Sequence, residues 1–285
     1  MAEVRKIAVL GLGTMGTGIA QVCAQAGFEV AALEATDELL ESGLGRIDAF
    51  LRKGVERGKL EDAEREAIIA RIEGTTAVED LAGSELVIEA VVENLELKRA
   101  LLTGVAAVVG EEAIIATNTS ALSVTEIAAS LPSPERVGGL HFFNPAPLME
   151  LVEVVEALQS SAATTATLTA VAEQLSKRPI VTKDRPGFLV NRLFMPYINQ
   201  AINAYDEGLA SAEDIDVGLE LGLGYPMGPM KVLDLIGLDV HRHATEAAYE
   251  QTHDTDYAVP PLLERMVQAG RLGRKSGAGI YEYEE

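Results

Sequence analysis

The amino-acid sequence predicts an α/β domain with a mostly parallel sheet over residues 1–184, followed by an all-α domain over residues 185–285. Short apolar runs alternate with helical patterns in the first part, which is typical of a parallel sheet covered by helices. After the breaker sequence KDRPG at residues 183–187, strand patterns nearly vanish. A chain of 285 residues is long enough for two domains of ordinary size.

Seven apolar runs are predicted to be strands, and the segments between them and after them are predicted to be mostly helical. The strands are expected at residues 7–10, 30–33, 86–90, 114–117, 137–141, 151–155 and 180–181. The long polar segment 36–73 is predicted to form a helical hairpin that turns near Gly58. Beyond the breaker, helices are expected over residues 188–207, 212–220, 229–250 and 260–269.

A glycine-rich turn joins the first predicted strand to a helix over residues 15–26. Residues 11–16 read GLGTMG, the G-x-G-x-x-G pattern in the strand–turn–helix context that dinucleotide binding requires. The glycines permit a tight turn, close approach of a pyrophosphate and close helix–strand packing, and the helix N-terminus offers free N–H groups. The sequence therefore predicts a Rossmann domain. Its expected cofactor-binding residues here are Gly11, Gly13, Thr14, Met15 and Gly16.

An acidic residue ends the second predicted strand. Glu34 follows Gly16 by 18 residues, where a carboxylate that binds the ribose hydroxyls is expected. Ala35 and Thr36 come next, so neither following residue is a cation that could receive a 2′-phosphate. The sequence therefore predicts NAD rather than NADP as the cofactor.

Composition excludes several classes of partner. A net charge of −21 argues against nucleic acid and anionic membranes as partners, and no apolar run is long enough to span a bilayer. The N-terminus shows no signal-peptide pattern, and a single cysteine, Cys23, excludes an internal disulfide. We therefore expect a cytoplasmic protein. No cluster of Cys and His has the spacing of a metal site, so no metal is predicted.

Positive charge is concentrated in the predicted hairpin, against the acidic background of the chain. The cations are Arg46, Arg52, Lys53, Arg57 and Lys59. A solvated helix face explains such a cluster, and so does a substrate that carries phosphate groups. The sequence leaves both explanations open.

A histidine and a glutamate lie in two neighbouring apolar runs. His141 ends the run 137–141, and Glu153 lies 12 residues later in the run 151–155. A histidine at a strand end is well placed for proton transfer, and a carboxylate can fix its tautomer and stabilise its charged form. A histidine among apolar residues is, however, more often a hydrogen-bonded core residue.

The ordered motifs together resemble the 3-hydroxyacyl-CoA dehydrogenases, in particular the stand-alone bacterial 3-hydroxybutyryl-CoA dehydrogenases. The resemblance covers essentially the whole chain. Its motifs are GLGTMG at 11–16, NTS at 118–120, HFFNP at 141–145, Glu153, PGFLVNR at 186–192, GP at 228–229, IGLD at 236–239 and GRKSG at 273–277. It implies an NAD-dependent oxidoreductase that interconverts a 3-hydroxyacyl-CoA, expected to be short, and a 3-ketoacyl-CoA.

The resemblance also implies roles for individual residues. It places the catalytic histidine on His141 and its paired carboxylate on Glu153, and it gives substrate contacts to Ser120 and Asn191. The residues expected to line the nicotinamide and its ribose are Glu93, Lys98 and Asn118, and Lys53 is expected to meet the CoA phosphates. The helical domain is expected to form a homodimer. In one departure from the family pattern, Ala121 replaces a second serine, so fine positioning of substrate or nicotinamide can differ.

Two other functions are considered beside this one. A related β-hydroxyacid dehydrogenase would act on a free acid, but such enzymes typically use a helical lysine as acid and base. A non-catalytic NAD-binding protein of crystallin type would retain the fold without turnover. The pairing of His141 with Glu153 argues against the first, and the intact set of candidate catalytic residues argues against the second.

Overall fold

The computed structural model describes residues 4–283, and the strands among them form one eight-stranded sheet. The strands are β1 (Lys6–Leu10), β2 (Glu29–Leu33), β3 (Ile72–Thr75), β4 (Leu86–Glu89), β5 (Ile114–Thr117), β6 (Val137–Phe142), β7 (Leu151–Glu156) and β8 (Arg178–Lys183). Their order in the sheet is β3-β2-β1-β4-β5-β6-β7-β8. All neighbouring pairs are parallel except β6 and β7, which are antiparallel.

The order of the first six strands is that of a dinucleotide-binding Rossmann fold. It reverses direction between β1 and β4, so a crevice opens beyond the carboxyl ends of these two strands. The predicted α/β class with a mostly parallel sheet is confirmed. The sheet therefore brings the ends of β1, β4, β5 and β6 to the edge where ligands bind in such folds.

Six α-helices accompany the sheet in the described part of the chain before Asp184. They are α1 (Thr14–Gln25), α2 (Asp37–Glu56), α3 (Asp62–Ile69), α4 (Leu95–Ala106), α5 (Val124–Ala128) and α6 (Ala162–Gln174). Helices α2 and α3 form the predicted hairpin, and its turn contains Gly58. The prediction of helix to residue 73 was wrong at its end, because Ile72–Thr75 forms the edge strand β3. This strand has four residues with only Thr75 buried, so it lacks the apolar run by which the other strands were found.

Strands β1 and β4 and helix α1 supply the centre of the first hydrophobic core. Ile7, Val9 and Ile88 are completely buried, and they pack in one cluster with Ile19 and Cys23 of α1. A strand that is buried on both faces reads as a continuous apolar run rather than an alternating one. This explains why the sequence indicated these strands clearly.

The chain divides into two compact units between Asp184 and Arg185. The helices described in the second unit are α7 (Val190–Asp206), α8 (Ala212–Leu223), α9 (Pro229–Ile236), α10 (Leu238–Thr252) and α11 (Pro261–Gln268). Its core is formed by Ile198, Ile202, Leu233, Leu238 and Leu263. The prediction of one helix over residues 229–250 was wrong, because Gly237 adopts a φ of +104° and separates α9 from α10.

Candidate active site

The glycine-rich turn places the N-terminus of α1 against the end of β1. A Cβ atom on Gly16 would lie 1.7 Å from the carbonyl oxygen of Gly11, so this contact requires glycine. Gly13 is the N-cap of α1, and a Cβ atom built there would meet no described atom within 4 Å. Since Thr14 and Met15 begin the helix, their N–H groups belong to the free donors of a helix start. The turn therefore fits an anionic pyrophosphate.

Glu34 is bound to the same turn. Its Oε1 accepts a hydrogen bond from the N–H of Leu12 at 2.6 Å, and its Oε2 accepts one from the N–H of Ala35 at 2.9 Å. A carboxylate has about four acceptor positions, so capacity remains for hydroxyl donors. The arrangement fits a ribose diol next to a pyrophosphate, as NAD provides.

One cation of the hairpin cluster, Arg46, contacts this turn, a contact that the sequence did not indicate. The guanidinium of Arg46 donates to the carbonyl oxygen of Leu12, and it also donates to Oγ of Ser42 at 2.8 Å. Glu34 and Arg46 thus bind the same residue, one through its N–H and one through its carbonyl. The sequence order concealed this because Arg46 lies 12 residues after Glu34 and reaches the turn only through the packing of α2 on α1.

A pocket of about 630 Å³ lies between α1, α2 and the loop after β6. Its lining residues are Gly13, Thr14, Thr17, Gly18, Gln21, Arg46, Ile47, Ala49, Phe50, Lys53, Pro145, Ala146 and Pro147. Arg46 and Lys53 are seven residues apart on α2 and therefore share one helix face. Arg52 instead forms an ion pair with Asp48 at 2.8 Å. The predicted cluster of cations is thus divided, and two of its members line the pocket.

His141 and Glu153 meet on adjacent strands. They are direct partners in the antiparallel register of β6 and β7, so their side chains extend from the same face of the sheet. Nδ1 of His141 lies 2.7 Å from Oε2 of Glu153, and the exposed fractions of the two residues are 6% and 0%. A carboxylate only accepts hydrogen bonds, so Nδ1 carries a proton and Nε2 is the acceptor nitrogen of the neutral ring. The Phe143 ring packs on the imidazole with centroids 4.7 Å apart.

Asn118 supports the strand end that carries this histidine. Its Oδ1 accepts a hydrogen bond from the N–H of Phe142 at 2.8 Å, and its own N–H donates to the carbonyl oxygen of Glu89 at 2.8 Å. The residue thus joins the ends of β4, β5 and β6. It is held beside His141, at the sheet edge where the resemblance places the nicotinamide.

Ser120 is exposed in the loop after β5, and Glu93 fixes the main chain of that loop. Oε1 of Glu93 accepts from the N–H groups of Ser120 at 3.1 Å and Ala121 at 3.2 Å, and from the hydroxyl of Thr119. Burial opposes ionisation of Glu93, but the charge of Lys98 and the hydrogen bonds from Thr119 and Ser120 outweigh it. Together they hold the pKa of Glu93 below its ordinary value.

Lys98 lies beneath this loop and not on its surface. The exposed fraction of the lysine is 1%, and its ammonium lies 2.7 Å from Oε1 of Glu89 and 3.1 Å from Oε2 of Glu93. The resemblance predicts that Lys98 lines the nicotinamide. The structure shows that the ammonium forms ion pairs with two carboxylates, so Lys98 acts on Glu89 and Glu93. Sequence analysis did not identify Glu89, because it reads as the last residue of an apolar strand.

Asn191 belongs to the second compact unit. It is the second residue of α7 and is half-buried. Leu189 occupies the N-cap position of that helix, so Asn191 is not its capping residue. The other candidate site residues all lie in the first unit.

Metal-ion sites and membrane-spanning helices are both absent from the described residues. Within residues 4–283, no group of three or more His, Cys, Asp or Glu side chains is arranged to hold a metal ion. Over the same residues, no helix has the length and apolar character needed to cross a membrane.

Comparison with known proteins supports the same reading of both units. The model of the 3-hydroxyacyl-CoA dehydrogenase NAD-binding domain matches residues 6–185, and that of the 3-hydroxyacyl-CoA dehydrogenase C-terminal domain matches residues 187–283. A probable 3-hydroxybutyryl-CoA dehydrogenase from Deinococcus radiodurans is 45% identical over 278 residues, covering 98% of this chain and 100% of the relative. A 3-hydroxyadipyl-CoA dehydrogenase from Escherichia coli is 42% identical over 99% of this chain and 60% of its own length.

A solved structure shares the fold over its whole length. The crystal structure of (S)-3-hydroxybutyryl-CoA dehydrogenase from Ralstonia eutropha superimposes with a TM-score of 0.96 at 42% identity, covering 99% of this chain and 100% of that one. Both family models match, and together they span nearly all of the described chain. The chain therefore belongs to the 3-hydroxyacyl-CoA dehydrogenase family and is an NAD-dependent oxidoreductase of that family.

Proposed function

We propose that this enzyme interconverts a short-chain 3-hydroxyacyl-CoA, first of all 3-hydroxybutyryl-CoA, and the corresponding 3-ketoacyl-CoA, with NAD as hydride acceptor. The observation that carries the proposal is the buried pair of His141 and Glu153 at the sheet edge where ligands bind. The relatives from Deinococcus radiodurans and Ralstonia eutropha, whose names specify 3-hydroxybutyryl-CoA, support the choice of acyl group.

The proton chemistry follows from the hydrogen bond between the pair. Because Nδ1 of His141 donates to Glu153, Nε2 is the nitrogen that takes the hydroxyl proton when the alcohol is oxidised. NAD, which the glycine-rich turn and Glu34 would hold, would supply the hydride acceptor. The fully buried carboxylate of Glu153 then stabilises the positive charge on the imidazole. In the reverse direction the imidazolium returns the proton to the carbonyl oxygen.

The remaining site residues orient the substrate. Ser120, whose main chain is fixed by Glu93, is proposed to hydrogen-bond the reacting oxygen. Asn191 is proposed to bind the same oxygen or the thioester carbonyl, and this role rests on the family motif at residues 186–192. Such contacts accelerate the reaction only where they are stronger in the transition state than in the bound substrate.

The pocket that contains Lys53 is proposed to hold phosphate groups of the CoA moiety. Its volume of about 630 Å³ is within the range of small-molecule sites. Arg46 and Lys53 are two positive charges in one pocket of a chain with a net charge of −21, and they would attract an anionic ligand there.

We also propose that the helical unit forms a homodimer. Large apolar side chains are exposed on α7 and α8, including Leu193 at 67%, Leu221 at 83% and Leu223 at 63%. Exposed large apolar side chains of this kind are suited to an interface with a second copy of the chain. Light scattering should give twice the chain mass of 30.3 kDa at micromolar concentration, and a monomer would contradict the proposal. The cytoplasmic location stays a prediction.

The proposed function is tested by turnover of a matched set of substrates. Reduction by NADH should proceed with acetoacetyl-CoA, fall with longer 3-ketoacyl-CoAs, and be much slower with free acetoacetate. Efficient turnover of free acids would favour a β-hydroxyacid dehydrogenase. Binding of NADH without turnover of any of these substrates would favour a non-catalytic protein. A preference for 3-ketoadipyl-CoA would contradict the proposed short acyl group. The substrate would then correspond to the one in the name of the Escherichia coli relative, a 3-hydroxyadipyl-CoA dehydrogenase.

A further inference from the structure

Glu89 is a buried carboxylate for which the proposed reaction has no direct use. It is the last residue of β4 and has an exposed fraction of 0%. Oε1 accepts from the N–H of Val91 and from the ammonium of Lys98, both at 2.7 Å. Oε2 accepts from the same ammonium at 2.9 Å and from the hydroxyl of Thr117 at 2.7 Å. All four hydrogen bonds point toward the carboxylate, so an acceptor-only group is required at this position.

Two routes lead from Glu89 to the loop that carries Ser120. In the first, the Thr117 hydroxyl donates to Glu89 and accepts from the N–H of Thr119 at 3.2 Å. In the second, Lys98 joins Glu89 to Glu93, which accepts from the N–H of Ser120 at 3.1 Å. The loop is thus tied to the end of β4 at two successive N–H groups, that of Thr119 and that of Ser120.

The two routes depend on one another because Glu89 and Glu93 share one positive charge. Lys98 is the cation shared by Glu89 and Glu93. If Glu89 lost its charge, the ammonium would be attracted by Glu93 alone. It would then pull on Oε2 of Glu93 and displace Oε1, which accepts from the N–H groups of Ser120 and Ala121, and the loop would loosen.

We propose that Glu89 is a positioning residue, which acts through Thr117 and Lys98 to fix the loop of Ser120 for the hydride-transfer reaction. The inference rests on the proposed function for the identity of that reaction. Displacing a substrate-orienting group by about 1 Å can cost a factor of roughly 10² in rate. Neither Glu89 nor Thr117 needs to touch the substrate for this effect.

The matched pair Thr117→Val and Thr117→Ser tests the proposal without leaving a buried charge unpaired. Valine keeps the shape of threonine but removes the hydroxyl that joins Glu89 to the N–H of Thr119, whereas serine keeps the hydroxyl and removes a methyl group. We expect Thr117→Val to lower kcat for acetoacetyl-CoA reduction about 3- to 10-fold with both KM values within about twofold. Thr117→Ser should retain kcat within about twofold. Hydrogen–deuterium exchange at residues 118–122 should become faster in Thr117→Val only.

Glu89→Gln extends the test to the carboxylate itself. Its amide would bring an N–H₂ group against donors, and kcat should fall about 10- to 100-fold with faster exchange at residues 118–122. Wild-type enzyme and His141→Ala are measured beside these variants. Absence of wild-type turnover would reject the proposed function. Normal wild-type turnover with an unchanged kcat and unchanged exchange in Thr117→Val would overturn the role of Glu89 alone, whether or not Glu89→Gln folds.

Discussion

His141 and Glu153 face each other across the antiparallel strands β6 and β7, with Nδ1 2.7 Å from Oε2. The distance is set by strand register, because a slip of one residue would turn either side chain to the opposite face of the sheet. Both residues belong to the buried interior of the sheet rather than to a loop. The proposed acid–base pair is therefore held by two hydrogen-bonded strands.

Removing the charge of Glu153 should destabilise the imidazolium form of His141. Glu153→Gln keeps an oxygen that can accept from Nδ1, but the neutral amide no longer stabilises the imidazolium. We expect kcat for reduction to fall about 10- to 100-fold. Glu156→Gln, in the same strand but paired with Lys183, is the matched control and should remain near wild type. A kcat of folded Glu153→Gln equal to that of the wild type would contradict this role.

Cofactor preference should depend on Glu34 and Arg46, which bind the N–H and the carbonyl of Leu12 respectively. The carboxylate would repel a 2′-phosphate, so kcat/KM should be much higher with NADH than with NADPH. Glu34→Ala should narrow this difference by raising kcat/KM with NADPH. Adding Arg46→Met should lower kcat/KM with NADPH again, because the guanidinium that could attract the 2′-phosphate is then missing. Comparable kcat/KM values for NADH and NADPH in the wild type would contradict the role of Glu34 in cofactor preference.

The cations in the pocket should affect binding of the CoA moiety and not the rate of the reaction at the acyl group. Lys53→Ala is expected to raise KM for acetoacetyl-CoA about 3- to 10-fold at low salt with little change in kcat, and added salt should shrink the difference by screening. Arg52→Ala is the control, since Arg52 is paired with Asp48. An unchanged KM for Lys53→Ala at low salt would mean that the cluster is a solvated helix face.

The stability of the helical unit should depend on pH through His241. This side chain is 3% exposed, its Nε2 lies 2.9 Å from Oδ1 of Asn199, and burial lowers its pKa to about 4. The unfolded chain takes up a proton near pH 6.5 and the folded chain does not. The stabilisation is therefore complete above about pH 6.5 and is lost as the pH falls toward 4, by about 3 kcal/mol in all.

Urea unfolding between pH 7.5 and pH 4.5 measures this dependence. His241→Gln cannot take up the proton, so its stability should decline less steeply with falling pH than that of the wild type, even if it is lower at pH 7.5. The same slope in both proteins would show that His241 is not the group responsible.

The sequence predicted those features that depend on local pattern. The glycines of the turn and the acid at Glu34 follow a fixed spacing, and the buried strands are continuous apolar runs. The break at Gly237 was missed because a helical pattern continues on both sides, and β3 was missed because it is an edge strand with little apolar character. The contact of Glu89 with Thr117 and that of Arg46 with Leu12 could not be predicted, because the two residues of each contact are 28 and 34 positions apart and meet only in the folded chain.

The measurement that tests the central claim most directly is kcat of His141→Ala for reduction of acetoacetyl-CoA by NADH, determined beside the dissociation constant of NADH. If His141 is the acid–base residue, kcat falls roughly 10²- to 10⁴-fold while NADH binds with little change. A near-normal kcat in the folded variant would contradict the account, and His141 would then be a buried histidine whose hydrogen bond to Glu153 serves the core.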